Sequence, residues 1–184
     1  MLTKNIDFKN FKLSLNDIKI KKDLNAFLDT KSEVIKSLTP SYQYSYSKKK
    51  INVYKKNSII RIIGMGGSIL GTEAIYSFLR NKVKKKIIFI NNLKSNLKKI
   101  KDEKKITNII VSKSGNTLET ISNANVLIKK NRKNIFITEQ NNNYLREQAL
   151  KLKAEIVDHN NYIGGRYSVL SEVGMLPSSL VGLN

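Results

Sequence analysis

Apolar residues near the start of the chain follow a helical spacing. Steps of three, four and seven separate Leu15, Ile18, Leu24, Phe27, Leu28, Val34, Ile35 and Leu38. This spacing predicts a helix over 15–38 with one apolar stripe. Ser14 and Asp17 are placed to form a capping box at its start, and Pro40 marks its end. The polar stretch over 41–57 predicts a connector, so residues 1–57 are expected to form a helical lead-in.

The hydrophobic pattern changes after residue 57. Short runs rich in isoleucine and valine, with little alternation, occupy 58–63, 87–90, 106–111, 135–137 and 155–157. Helical stretches are predicted between them over 69–79, 93–101, 118–128 and 144–152. Strands without alternation are buried on both faces, and alternating β and α units form right-handed crossovers. The sequence therefore predicts an α/β domain over 58–184, a doubly wound parallel sheet of about five strands flanked by helices.

Composition narrows the classes of function. The 34 Lys and Arg residues against 14 Asp and Glu give a net charge of +20. Only five of these cations are arginine, the side chain that specific nucleic-acid recognition favours. We therefore expect no dedicated nucleic-acid site, and instead a positive field that attracts small anions. With no cysteine and one histidine, His159, we expect no metal centre, and we expect His159 to lie at the surface.

The apolar runs of the chain and its first residues bear on localisation. No uninterrupted apolar run approaches the roughly 20 residues of a membrane span. The first residues lack the apolar core of a secretion signal. We therefore expect a soluble, cytoplasmic protein that does not bind membranes.

A glycine cluster follows the first predicted strand. The run from Gly64 to Ser68 reads Gly-Met-Gly-Gly-Ser, and glycines let a backbone approach a ligand closely next to a helix start. A nicotinamide-binding turn is excluded because Ile69 replaces its third glycine and Asn91-Asn92 stands where a ribose-binding acid belongs. A tight strand-to-helix turn with no ligand remains an alternative at this point.

A second turn, over 112–120, follows the third predicted strand. Its sequence is Ser-Lys-Ser-Gly-Asn-Thr-Leu-Glu-Thr. Hydroxyls, backbone amides, a lysine and a helix N-terminus together favour an anion. The alternative is a helix cap, supplied by Thr117 or Asn116, with solvated serines. Two such turns in one parallel sheet favour a phosphorylated small molecule.

A third motif follows the fifth predicted strand, with Gly-Gly-Arg-Tyr-Ser at 164–168. With the Gly-Gly-Ser turn at 66–68 and the segment over 112–120, the chain resembles the glucose-6-phosphate isomerase family from about residue 59 onward. The resemblance implies sugar-isomerase domains that interconvert glucose 6-phosphate and fructose 6-phosphate without a cofactor, through a cis-enediol. It also implies a homodimer for the full-length family.

The resemblance also implies roles for single residues. Phosphate ligands would be Ser112, Ser114 and Thr117, with Lys113 in the same turn, and sugar contacts would come from Gly67 and Ser68. Arg166 would be the catalytic arginine that steadies the enediolate, a role that suits a permanently charged planar donor. Taken outside its motif, that arginine would be interpreted as a partner in a surface salt bridge.

The family's general base and ring-opening groups have no counterpart here. The base lies in a Gly-Glu-Pro-Gly-Thr-Asn motif that the chain lacks, and His159 does not match the family's histidine. Glu73 and Glu119 are predicted just inside their helices, where they compensate the dipole. We therefore expect an N-terminal part of an isomerase, inactive alone and ending before a second sugar-isomerase domain. The alternative is a stand-alone sugar-phosphate sensor.

One residue shortly after the third motif departs from the family pattern. Glu172 replaces a small uncharged residue, and we expect it to be a tolerated variation near a helix start.

Overall fold

Five parallel strands form the centre of the molecule. The computed structural model describes residues 17–30, 32–93 and 103–183. Its strands are β1 (Ile59–Gly64), β2 (Lys86–Ile90), β3 (Ile106–Val111), β4 (Lys133–Thr138) and β5 (Glu155–Asp158). They form one sheet in the order β2-β1-β3-β4-β5, and every neighbouring pair is parallel. The predicted fold class is confirmed, and each predicted strand lies within two residues of an observed one.

Helices cover both faces of the sheet. They are α1 (Asp17–Leu28), α2 (Glu33–Ser37), α3 (Lys48–Ile51), α4 (Gly67–Phe78), α5 (Leu118–Leu127), α6 (Tyr144–Leu152) and α7 (Glu172–Leu180). Side chains of β1 show the two faces, because Ile62 packs in a cluster with residues of α4 and α7, whereas Ile63 packs with residues of α5 and α6. Burial on both faces explains why the strands lack the alternation of a half-exposed sheet.

Helix α7 contains a proline that is accommodated by a side chain from α4. Pro177 has no N–H, so it leaves the carbonyl of Val173, one turn earlier, without its helical donor. The buried hydroxyl of Thr72 in α4 donates to that carbonyl over 3.0 Å. The proline is therefore compatible with a continuous helix, and the bond joins α4 to α7.

A polar ladder crosses the interior of the sheet. Arg61 of β1 donates from Nε to Asn108 of β3 over 2.9 Å, and Asn108 donates to Asn134 of β4 over 2.7 Å. Asn134 in turn donates to the carbonyl of Lys129 over 3.0 Å. The three side chains are paired in register on adjacent strands, and all are buried. Burial lowers the pKa of Arg61, and the negative charge of Glu103 partly offsets this.

The N-terminal lead-in differs from the prediction. The predicted single helix over 15–38 is wrong, because α1 ends at Leu28 and α2 begins at Glu33. Thr30 accounts for the break, since its hydroxyl and its amide both bond to the carbonyl of Phe27. The predicted stripe is largely exposed, with Ile18 77% and Phe27 56% accessible. The capping box at Ser14 lies outside the described residues.

The structure bears on two further predictions about the regions between the main elements. The connector over 41–57 contains α3 and a 3₁₀ turn over Asn52–Tyr54, so it is not wholly irregular. The predicted helix over 93–101 lies, apart from Leu93, outside the described residues. In the ranges that the structure describes, no helix has both the length and the apolar character needed to span a bilayer.

Candidate functional site

The three sequence motifs meet at the carboxyl ends of the strands. A cavity of about 330 Å³ is lined there by Met65, Gly67, Ser68, Lys113, Ser114, Thr117, Glu139 and Gly165. The turns after β1 and β3 form much of its wall, and these adjacent strands stand where the strand order reverses. In open α/β sheets such a reversal opens a crevice that receives ligands. The fold therefore places the predicted chemistry where this sheet topology favours binding.

The first and third motifs are in backbone contact. A Cβ atom on Gly67 would lie 2.4 Å from both the carbonyl carbon and the oxygen of Gly165, so no other residue fits at position 67 without a shift. Ser168, fully buried, donates to the carbonyls of Gly67 and Gly165, with distances of 3.2 and 2.8 Å. The Gly-Gly-Ser turn and the Gly-Gly-Arg turn are thus held together as one unit.

The second motif forms a compact turn before α5. The hydroxyls of Ser112 and Thr117 are 2.9 Å apart, and Ser112 is buried beneath the turn. Gly115 adopts a φ of +67°, and a Cβ there would lie 1.8 Å from Asn143 Oδ1, so glycine is required on both grounds. Thr117 stands at the N-cap of α5, but its side chain makes no capping bond. The first amides of α5 therefore lack a side-chain acceptor and can donate to an anion.

A carboxylate in the cavity was missed by the sequence analysis. Glu139 follows β4 directly, and its Oε1 lies 3.5 Å from Nζ of Lys113. Lys113 also donates to the carbonyl of Asn161 over 2.6 Å, which fixes its ammonium between the second motif and the loop after β5. Because the pair is balanced in charge, an entering anion meets the helix N-terminus and hydroxyls without an uncompensated negative group. Glu139 could have been identified from the sequence, because it follows a buried strand directly.

Arg166 is placed differently from the other predicted residues. It follows Gly165 directly, in the 3₁₀ turn Gly165–Leu170, and its side chain is exposed. Within the described residues it has no hydrogen bond or ion pair, and it is not among the residues lining the cavity. The structure therefore brings together Gly67, Ser68, Lys113, Ser114 and Thr117, with Ser112 beneath them, and leaves the guanidinium of Arg166 without a protein partner in the described parts of the chain.

Two predictions about titratable side chains are wrong. His159 is not at the surface but only 3% exposed, and this burial lowers the pKa of its imidazole. Glu73 lies in the second turn of α4, too far inside the helix to compensate its dipole, and it accepts a hydrogen bond from Asn91 over 3.1 Å. Glu119 does lie in the first turn of α5, as predicted.

Glu172 lies at a helix start, as predicted, and its carboxylate is a buried hydrogen-bond acceptor. It begins α7 behind the N-cap Ser171 and is fully buried. Its carboxylate accepts from the hydroxyl of Tyr42 and the amide of Ser45, each over 2.9 Å. Asn160, four residues before Gly164, donates to the same tyrosine oxygen over 2.8 Å. The segment before α3 is thereby fastened to α7 and to the loop that leads into the third motif.

Metal ligation has no support in the described part of the chain. Across residues 17–30, 32–93 and 103–183, no three histidine, aspartate or glutamate side chains are grouped closely enough to hold an ion.

Comparison with known structures supports the parallel α/β fold. The chain superposes with a TM-score of 0.70 on a hypothetical protein, TT0462, from Thermus thermophilus, at 20% identity, covering 92% of this chain and 45% of that one. It superposes with a TM-score of 0.52 on tagatose-6-phosphate ketose/aldose isomerase from Escherichia coli, at 12% identity, covering 73% and 41%. At these identities the likeness establishes the fold.

Sequence comparison establishes the family. The phosphoglucose isomerase family model matches residues 20–183, and the chain belongs to that family of enzymes. It is similar to the glucose-6-phosphate isomerase of Methanocaldococcus jannaschii, at 38% identity over 149 residues, covering 74% of this chain and 35% of that protein. The chain spans about a third of the length of the curated relatives it matches.

Proposed function

We propose that this chain supplies the sugar-phosphate-binding part of a glucose-6-phosphate isomerase that interconverts glucose 6-phosphate and fructose 6-phosphate. The observation that carries the proposal is the single cavity lined by residues from all three motifs. In this assignment residues 58–184 form a sugar-isomerase domain and residues 1–57 form its lead-in. Family membership supports the reaction, and the name of the E. coli relative in fold supports a phosphorylated sugar.

The phosphate binds at the second motif. Ser114, Thr117 and Lys113 line the cavity, Ser112 supports Thr117 from beneath, and the uncapped amides of α5 point toward the same turn. The helix dipole favours negative charge there, and the ammonium of Lys113 adds a hydrogen-bond donor. The sugar extends from the phosphate toward Gly67 and Ser68, because those residues form the wall contributed by β1.

Arg166 acts on the reacting atoms. Its guanidinium is exposed next to the cavity-lining Gly165 and has no protein partner among the described residues, so it is available to a substrate. Turning toward the sugar, it meets the negative charge that develops on the two oxygens of the enediolate. Neither Glu139, which is paired with Lys113, nor Glu73, which accepts from Asn91, is assigned as the general base in this proposal.

Ligand-dependent heat protection tests the binding proposal. At a concentration about 100 times Kd, fructose 6-phosphate stabilises the folded chain by about 2.7 kcal/mol, which raises Tm by about 5–11 °C. Ser114→Ala removes a phosphate donor and abolishes most of this shift. Ser77→Ala, an exposed serine in α4, is the matched control and keeps the shift. Equal protection of both variants would contradict the assignment of the phosphate site.

A coupled isomerisation assay tests the missing base. We expect no turnover from the 184-residue chain, with Arg166→Ala and Glu139→Gln measured beside it. Turnover that Glu139→Gln removes would identify Glu139 as the base and contradict its assignment as a partner of Lys113. Turnover that only Arg166→Ala removes would show that another group in the chain is the base.

A further inference from the structure

A second cavity lies at the carboxyl ends of β4 and β5. Its volume is about 220 Å³, and it is lined by Glu139, Gln140, Asn141, Asp158, His159, Asn160 and Asn161. The strand order places it on the opposite side of β4 from the crevice between β1 and β3. Every lining residue is polar, and four of the seven carry side-chain amides. It is therefore a separate polar compartment that shares only Glu139 with the first cavity.

His159 presents a hydrogen-bond acceptor to this compartment. Its Nδ1 lies 3.0 Å from the carbonyl of Asn160, and because a carbonyl can only accept, Nδ1 carries the hydrogen. Burial lowers the pKa of the imidazole, so the ring is neutral at pH 7 and Nε2 carries a lone pair. Nε2 has no hydrogen-bond partner among the described residues, yet it is not one of the fully enclosed polar atoms without a partner. It therefore opens onto the cavity that His159 lines.

The acidic residues of the compartment are already neutralised. Asp158 pairs with Arg146 over 2.8 Å, and Glu139 lies 3.5 Å from Lys113. A charged ligand of either sign would thus compete with two existing ion pairs. A neutral ligand avoids this cost. Three of the four amide groups already donate within the protein, from Gln140 to Asp158, from Asn141 to Glu139 and from Asn160 to Tyr42. The lining therefore offers chiefly acceptors, the amide oxygens and the imidazole nitrogen, and the complementary chemistry is a set of hydroxyl donors.

We propose that this compartment binds a small neutral polyhydroxyl molecule, an unphosphorylated monosaccharide or its open-chain polyol, with a ligand hydroxyl donating to Nε2 of His159. The site is independent of the proposed phosphate cavity, since its ligand carries no phosphate and its key acceptor is not used there. Glu139 lines both cavities, so the two sites are neighbours.

The single histidine makes the proposal directly measurable. In the chain labelled with ¹⁵N-histidine, every imidazole signal belongs to His159. Titration with D-glucose and, separately, D-sorbitol should move the Nε2 signal along a saturating curve, because a new hydrogen bond changes the shielding of an unprotonated nitrogen. Saturation with only one of the two distinguishes a ring from an open chain. Glycine betaine, a solute without hydroxyl groups, is the control for general solvent effects.

Variants separate this site from the phosphate site. His159→Asn keeps a donor near the position of Nδ1 and removes the acceptor, so polyol affinity should fall about tenfold. His159→Gln, which reaches further, should retain more affinity than His159→Asn. Ser114→Ala should leave polyol binding unchanged while it abolishes protection by fructose 6-phosphate.

Three results would overturn the proposal. One is an Nε2 shift that stays linear with concentration, or that betaine reproduces. Another is polyol binding, measured by calorimetry, that is unchanged in His159→Asn. The third is polyol binding lost in Ser114→Ala, which would place the polyol in the first cavity. Because heat protection by fructose 6-phosphate is measured on the same samples, failure of the phosphate proposal is recognised separately.

Discussion

Replacing Tyr42 by phenylalanine tests how firmly the segment before α3 is fastened to α7. The hydroxyl donates to both carboxylate oxygens of Glu172 at 2.9 Å and accepts from Asn160 at 2.8 Å. Burial raises the pKa of Tyr42 well above its usual value, and the negative charge of the neighbouring Glu172 is the next largest cause of this increase. The phenol is therefore a neutral donor throughout the physiological range, and its hydrogen bond to a carboxylate is always present.

The expected loss follows from what remains after the change. Tyr42→Phe leaves the fully buried carboxylate of Glu172 with the amide of Ser45 as its one remaining donor among the described residues. Hydrogen bonds to charged groups contribute about 1.5–3 kcal/mol, and the loss also frees the amide of Asn160. We expect a decrease of about 2–3 kcal/mol in the free energy of unfolding. For a chain of this length that corresponds to a Tm lower by about 4–12 °C.

Urea unfolding followed by far-ultraviolet circular dichroism measures this loss, since the chain has no tryptophan. Tyr44→Phe is the matched control, because Tyr44 is exposed and its hydroxyl makes no hydrogen bond in the described structure. Its ring packs edge-to-face against Tyr42 and stacks on Tyr46. A cycle with Glu172→Gln isolates the pairwise term, which should exceed about 1 kcal/mol. If the two variants lose the same free energy of unfolding to within about 0.5 kcal/mol, Glu172 does not fasten this segment to α7.

Three further predictions concern the turn, the ladder and the histidine. Gly115→Ala should destabilise the fold by more than the roughly 1–2 kcal/mol of left-handed strain, since its Cβ would lie 1.8 Å from Asn143 Oδ1; a loss in urea no larger than the strain alone would contradict this. Asn108→Leu should cost about 1.5–3 kcal/mol in the same assay, because it removes the hydrogen-bond acceptor of the buried, charged Arg61. Because the pKa of His159 is lowered in the folded state, the unfolded chain binds the extra proton when pH decreases below about 6.5. The free energy of unfolding should therefore decrease as pH decreases, by at most about 1.4 kcal/mol per pH unit. The slope should be shallower in His159→Asn, and an unchanged slope would contradict the burial argument.

Local pattern was sufficient to predict the sheet. The runs at 59–63 and 106–111 are β-branched and lack alternation, which is the signature of a strand buried on both faces, and both are buried parallel strands in the structure. The three motifs could be placed at one edge because parallel strands all end on the same side. That reasoning needs no side-chain detail, and it brought the five predicted cavity residues together.

The N-terminal lead-in shows where local pattern fails. The spacing of its apolar residues fits one helix, but a hydroxyl at Thr30 offers the backbone a competing partner that periodicity does not register. The exposure of Ile18 and Phe27 could not be predicted either, since a stripe states which residues share a face and not what covers it.

Residues that acquire their environment from distant segments were the hardest to predict. His159 was expected at the surface, yet it is buried, and Glu172 is bound by residues more than 120 positions away. A signal for the ladder was present, because Arg61, Asn108 and Asn134 each interrupt an apolar strand near its start. Polar residues at equivalent heights in neighbouring strands can satisfy one another across a sheet, and register is what makes them meet.

The close approach of the glycine turns explains why the first and third motifs belong together. A Cβ on Gly67 would lie 2.4 Å from the backbone of Gly165, whereas a Cβ on Gly165 would lie 3.7 Å from Gly67, an ordinary contact. The requirement for glycine is thus strict at position 67, and the contact gives no steric reason for glycine at 165. Ser168, bonded to both carbonyls, keeps the turns at this distance. Since Arg166 follows Gly165 directly, the packing of Gly67 also fixes where the guanidinium begins, which couples the position of the proposed catalytic arginine to the turn after β1.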